Sequence, residues 1–225
     1  WVREVGPDVI ERARLGDWQV VLTPTKPVPR IWFGELAGKD LLGLASGGGQ
    51  QCPIFAAAGA RVTSFDASDA QLERDARVAA RDSLQLRTVQ GNMRDLRVFA
   101  DASFDVVFNP CSTCFVDDVA AVWREVARVL RPGGVLLTGF TNPWYYLFDI
   151  AAFDRGELQV TKKLPVVEMA DGMIEFSHSF DAQLGGQLRA GLMLTDLFED
   201  EWDAWRALYG VAPAFLATRA VKPHA

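Results

Sequence analysis

Short apolar runs alternate with helix-spaced apolar positions along the first two-thirds of the chain. Asp40–Ala45 (DLLGLA), Arg61–Phe65, Leu86–Gln90, Phe104–Phe108 and Val135–Phe140 read as strands, each short, apolar-rich and bounded by polar or glycine residues. Helical patterns lie between them, at Gln50–Ala58, from Ser68 onward and at Asp118–Leu130. In the last, Val119, Val122, Trp123, Val126, Val129 and Leu130 recur at spacings of three and four and make one stripe. In the helix from Ser68, Gln71 stands three positions on, the capping-box spacing, and Leu72, Ala76, Ala79 and Ala80 form the predicted core stripe. Its charges Glu73, Arg74, Asp75 and Arg77 read as a solvated face. Such alternation predicts βαβ units and a parallel sheet.

Beyond residue 140 the rhythm changes. Thr141–Asp181 is aromatic-rich and less periodic, and reads as an insertion above the sheet. Ala182–Ala190 carries a faint helical pattern; Leu192–Phe198 and Phe215–Val221 read as two closing strands joined by a helical connection with Trp202 and Trp205. At the other end, prolines at 24, 27 and 29 fix extended backbone in Thr23–Arg30, which predicts an ordered arm or lid rather than a helix. The expected organisation is one domain: arm 1–39, core 40–140, insertion 141–181 and closing strands 182–225.

A chain of 225 residues, 49% hydrophobic, buries a full core without disulfide or metal staples. Lys+Arg 23 against Asp+Glu 29 leaves a net charge of −6, which argues against a nucleic-acid partner, since that affinity rests on clustered cations. No window approaches the roughly 18 uninterrupted apolar residues of a membrane span. Three cysteines, Cys52, Cys111 and Cys114, are odd in number and too few for a disulfide framework, so a soluble protein of the reducing cytoplasm is expected. The sequence opens at Trp1 rather than Met, so the true N-terminus and any targeting segment are expected to lie outside it.

The candidate chemistry falls at strand ends. Ser46–Gly49 follows the first strand, where glycines let a ligand approach the backbone. Asp66 closes the second about 20 residues later, from where a carboxylate accepts both hydroxyls of a ribose. Asn92 and Met93 follow the third strand, and Asn109-Pro110 the fourth. Gly47-x-Gly49 with Asp66 also fits part of the nicotinamide-dehydrogenase fingerprint. There the third glycine position holds Cys52, followed by Pro53, and the GNM and RPGG segments have no role.

LLGLASGGGQ, VTSFDAS, VQGNMRDL, FDVVFNP and VLRPGGVLL, in that order, resemble class I S-adenosylmethionine-dependent methyltransferases over roughly residues 40–140. The resemblance implies an α/β, Rossmann-like, doubly wound, seven-stranded, mostly parallel sheet with an antiparallel closing strand, and S-adenosylmethionine as cofactor. It implies that Ala45, Ser46, Gly47 and Gly49 take the methionine part, with a backbone carbonyl or one of Gln50 and Gln51 left for its amino group, Asp66 the ribose with Ala67 beside it, and Asn92 and Met93 the adenine. Asn109 would lie where the fourth strand passes the sulfonium. The chain departs from the family twice: Gly43 stands where an acidic residue is usual, and Asn92 where Asp is commoner.

Methyl transfer is an in-line displacement in which positioning carries much of the rate, and a base serves only a protonated nucleophile. His178, within the aromatic insertion, is the candidate base; as a lone internal histidine it also fits a hydrogen-bonded packing role. Asn109-Pro110-Cys111 is similar to part of the Asn-Pro-Pro-aromatic motif of amino-methylating relatives but lacks the second proline and the aromatic. Trp32, Cys111, Tyr145 and His178 are the candidate acceptor-pocket residues, within a wider aromatic set of Trp18, Phe33, Trp144 and Tyr146 that also suits simple packing. Arg30 suits either a ligand carboxylate or solvent. Cys111-x-x-Cys114 has no second cysteine pair and reads as packing, with no metal expected. The expected function is methyl transfer to a small-molecule acceptor. The alternatives are a cofactor-binding protein without transfer activity, and methylation of a protein or nucleic-acid amino group.

Overall fold

The predicted strands assemble into one sheet of seven. In the computed structural model, which describes residues 3–148, 174–202 and 212–224, with 152, 155, 157, 159–160, 166–168 and 210 between them, the strand order is β3-β2-β1-β4-β5-β9-β8. Its members are β1 (Asp40–Leu44), β2 (Arg61–Asp66), β3 (Leu86–Gln90), β4 (Phe104–Asn109), β5 (Leu130–Thr141), β8 (Met193–Asp200) and β9 (Phe215–Val221). Strands β3 to β5 pair in parallel, and β9 runs antiparallel to both its neighbours, β5 and β8. Strand order reverses between β1 and β4, the switch point at which such sheets bind ligands. The run LLGL suits β1 because a central parallel strand is buried on both faces.

One face packs under α1 (Pro7–Arg14), α2 (Gln51–Ala57) and α3 (Asp69–Arg81), with Leu41, Phe55 and Phe108 meeting Trp18, Trp32 and Phe33 of the arm. The other packs under α4 (Val119–Val129), whose Trp123 is fully buried and donates its indole N–H to Ala182 O at 3.1 Å. That bond anchors a π turn, Asp181–Gly185, leading into α5 (Gly186–Arg189). A short hairpin, β6 (Val166–Glu168) with β7 (Ile174–Phe176), lies in the insertion. Trp1 and Trp205 fall outside the described residues. No helix among the described residues is long and apolar enough to cross a membrane.

Ahead of the proline run the arm also holds a helix, α1, which buries only Ile10 and Ala13 and so leaves little periodic signal; Thr23–Pro29 itself carries no helix, as expected. Several other expectations need correcting. In α3 the buried residues are Leu72, Asp75, Val78 and Ala79, while Ala76 and Ala80 are exposed, so Asp75 belongs to the core rather than to solvent. The capping box does not form: Ser68 N bonds Asp66 Oδ1 instead, and Gln71 Oε1 is buried without a partner. β5 starts at Leu130, before Arg131-Pro132-Gly133-Gly134, because Leu130 already pairs with Phe104 and the register then shifts.

The rest of the arm crosses the C-terminal ends of the strands. Val28 N bonds Val20 O, and Leu22 O accepts from Cys111 N at 3.1 Å. A Cβ on Gly139 would lie 2.2 Å from Leu22 O, so only glycine permits this approach. Asp200, at the end of β8, straps the arm down by accepting from Thr25 N, Thr25 Oγ1 and Lys26 N.

Candidate functional site

The loop after β1 turns sharply. Ala45 has φ +48° and gives its N–H to Phe65 O, while Gly48 and Gly49 hold φ +129° and +73°. Two carboxylates fix the next amides. Asp66 Oδ2 accepts from Gly47 N at 3.1 Å, and Asp75 Oδ1 from Gly49 N at 2.6 Å. Asp75 Oδ2 also takes Ser64 Oγ at 2.6 Å. Burial pushes the Asp75 carboxyl up to about 6, partly offset by its bonds from Ser64 and Gly49. Ser46 is buried, and its carbonyl and hydroxyl face the Cys52 thiol at 3.7 and 3.8 Å. Burial, with Asp75 nearby, pushes that thiol far above its ordinary range, so it is neutral and unreactive at neutral pH.

Asp66 suits a ribose. Its two oxygens each take one backbone N–H, from Gly47 and Ser68, and a carboxylate has about four acceptor positions, so two remain for a vicinal diol. Gly47 closes the same corner: a Cβ there would stand 2.9 Å from Gln71 Cβ and 3.1 Å from Asp66 Oδ2. Ala67 is exposed beside it, and Gln50 precedes α2. At the end of β3, Met93 is buried and Asn92 exposed, with Asn92 Oδ1 already accepting from Arg94 N and Nε.

Asn109 ends β4 and is fully buried; its Nδ2 donates to Leu44 O at 2.8 Å and Ser112 Oγ at 2.7 Å, and its Oδ1 accepts from Thr138 Oγ1 at 3.0 Å. The side chain ties β1 to β4 and β5. His178 does reach the strand ends. Its Nε2 lies 2.8 Å from Val116 O and 3.2 Å from Thr113 O, and two carbonyl acceptors place the proton on Nε2, leaving Nδ1 basic. Nearby, Tyr146 donates its hydroxyl to Glu175 Oε2 at 3.1 Å. Burial pushes the Cys114 thiol up to about 12, with the Glu175 charge adding to it, and burial also raises Cys111. Neither thiol is a nucleophile at neutral pH, and no cluster of three or more metal-ligating side chains occurs among the described residues.

Of the expected acceptor-pocket residues, Cys111 and His178 lie at this end of the sheet, and Tyr145 packs there against Trp144 and Trp202. Trp32 is buried, donates to Asp196 Oδ2 at 2.8 Å and packs on Phe198 of β8. Trp18 and Phe33 are core as well. Arg30 lies over the Trp18 ring at 3.6 Å and donates to Gly16 O and Trp18 O, so it serves the arm rather than a ligand. Asp75 and Glu175 are the polar residues that pattern reading passes over. Their partners are far away in sequence, and only the second-strand carboxylate gives a local signal.

The switch-point loop, a ribose-suited carboxylate on the next strand and the antiparallel closing strand define the class I methyltransferase architecture. Residues 42–138 match the methyltransferase domain family model. The uncharacterized methyltransferase YbaJ of Bacillus subtilis is 41% identical over 235 residues, covering 99% of this chain and 91% of the relative. An S-adenosylmethionine-dependent methyltransferase from Mesorhizobium loti superposes with a TM-score of 0.69 at 23% identity, over 85% of this chain and 94% of that one. A Burkholderia thailandensis 1,6-didemethyltoxoflavin N1-methyltransferase, solved with its acceptor and S-adenosylhomocysteine, does so at 0.61 and 14% identity, over 96% and 79%. The chain belongs to the class I S-adenosylmethionine-dependent methyltransferases, with S-adenosylmethionine as its cofactor.

Proposed function

We propose that the protein transfers a methyl group to a small-molecule acceptor bound under the arm, between the segment after β4 and the Glu175–His178 segment. The observation that carries this reading is the convergence, at one end of the sheet, of the loop–Asp66 corner with His178, Tyr146 and Glu175. The cofactor supplies a methyl on a sulfonium sulfur, which an in-line nucleophile displaces. In our reading Ala45, Ser46, Gly47, Gly49 and Gln50 line its methionine end, and Asp66, beside Ala67, holds the ribose hydroxyls. Asn92 and Met93 flank the adenine, once Arg94 gives up one of its bonds to Asn92 Oδ1.

His178 Nδ1 receives the acceptor's proton, because bonds from Nε2 to Val116 O and Thr113 O fix the ring. Asn109 positions the end of β1 and does not touch the acceptor. Arm and insertion form the roof of one domain in the cytoplasm, where the three free cysteines stay reduced. A net charge of −6 disfavours nucleic acid as the acceptor, and the Burkholderia neighbour acts on a small molecule.

Labelled-methyl cofactor incubated with the protein and a lysate of its source organism tests the proposal. Label is expected in the low-molecular-mass filtrate. Label retained on protein or nucleic acid contradicts the small-molecule reading. Label in neither fraction, despite cofactor binding, supports a binding protein without transfer activity.

A further inference from the structure

We propose that Asp75 is the positioning carboxylate of the cofactor loop, supplied from α3 in place of the acid that the family usually carries in β1 and this chain lacks at Gly43. The inference rests on residues 45–50 being that loop. Position 43 has no room for a side chain: a Cβ there would lie 2.2 Å from Cys52 Sγ and 3.5 Å from Ser46 Cβ. The thiol fills the space, and the Asp75 carboxylate is near enough to raise that thiol further.

Burying an ionised carboxylate is costly unless hydrogen bonds compensate it. Asp75 has no exposed surface, and it accepts from the Gly49 amide and from Ser64 Oγ. Two amides of the loop are therefore held by two carboxylates: Asp66 takes Gly47 at the rim, and Asp75 takes Gly49. Gly48 and Gly49 both have left-handed backbone, which leaves the turn dependent on whatever holds its amides.

The groups around Asp75 are few. Cys52 faces it from α2, Ser64 and Asp66 from β2, and Glu4 of the arm, paired to Arg77, and Arg74 lie on the far side of Gly49.

Charge and stability then pull in opposite directions. Burial raises the folded carboxyl from 3.8 to about 6, so the folded protein binds the proton more tightly than the unfolded chain does. Stability falls as pH rises from about 4 through 6. Over the same interval the carboxyl loses its proton and its bond from the Gly49 amide becomes charge-assisted, so the loop is held more firmly and cofactor affinity rises. A residue that only supports the fold would move both quantities together.

Calorimetric titration of S-adenosylhomocysteine between pH 5 and 8, with thermal melts, tests this on wild type, Asp75→Asn and Asp66→Asn. Wild-type affinity is expected to rise about tenfold across the range, the worth of one charge-assisted hydrogen bond. Asp75→Asn should bind about tenfold more weakly at pH 7.5 and lose the pH dependence, with an unchanged or higher melting temperature. Asp66→Asn should bind weakly but keep the pH dependence. If wild type binds and Asp75→Asn matches it in affinity and pH slope, the inference is overturned while the cofactor reading stands. If wild type binds at no pH, the cofactor reading itself fails. Should Asp75→Asn not fold, Ser64→Ala removes one bond to the carboxylate and is expected to move the midpoint upward; an unmoved midpoint overturns the inference.

Discussion

At Asn109 the polar atoms of the side chain meet Leu44 O, Ser112 Oγ and Thr138 Oγ1, three partners that hold β1 against β4 and β5. His178 differs. Among the described residues only Nε2 is bonded, to Val116 O and Thr113 O, so the other nitrogen keeps its lone pair. His178→Gln preserves a donor to those carbonyls and removes the base. Turnover is expected to fall about 100-fold, the usual worth of a general base, with the melting temperature and S-adenosylhomocysteine affinity unchanged. Unchanged turnover would assign His178 to packing. Residue-scale legibility was uneven. Asp66 shows in the sequence because its place at the end of β2 is a local signal. Asp75 hides among Glu73, Arg74 and Arg77 because its partners, Ser64 and Gly49, stand 11 and 26 residues upstream, and charge alone does not reveal burial.

At the scale of elements, the strap between arm and sheet rests on one carboxylate. Burial opposes ionisation of Asp200, but the bonds from Thr25 and Lys26 outweigh it and hold the carboxyl below its ordinary 3.8. That stabilisation is complete above pH about 4 and is lost as pH falls below it. Asp200→Ala leaves the Thr25 and Lys26 amides without their acceptor and is expected to cost about 2–3 kcal/mol in urea unfolding at pH 7. The difference from wild type should shrink at pH 3; a constant difference would contradict the ionised strap. The central strands and α4 are legible because apolar runs and three–four spacing act locally. Helix α1 is not, since eight residues with two buried side chains leave no period. Nor is the start of β5, where the Pro-Gly-Gly signal of a stop sits inside a strand that shifts register around it.

For the whole molecule, the sheet order brings the ends of β1, β2 and β4 together with the arm and the insertion at one edge. Sequence alternation predicts that sheet and its cofactor end. The acceptor end is less legible, because it is assembled from the arm, the post-β4 segment and β7, parts separated by up to 150 residues whose pairing no spacing encodes. We propose that the Asp66 corner beside the glycine loop is where the cofactor's ribose is held. Calorimetry with S-adenosylhomocysteine on wild type and Asp66→Ala at pH 7.5 tests this. Tight one-to-one binding by wild type, weakened at least about tenfold in the variant, is the predicted result. Equal affinity in the two proteins, or no binding by wild type, would contradict it.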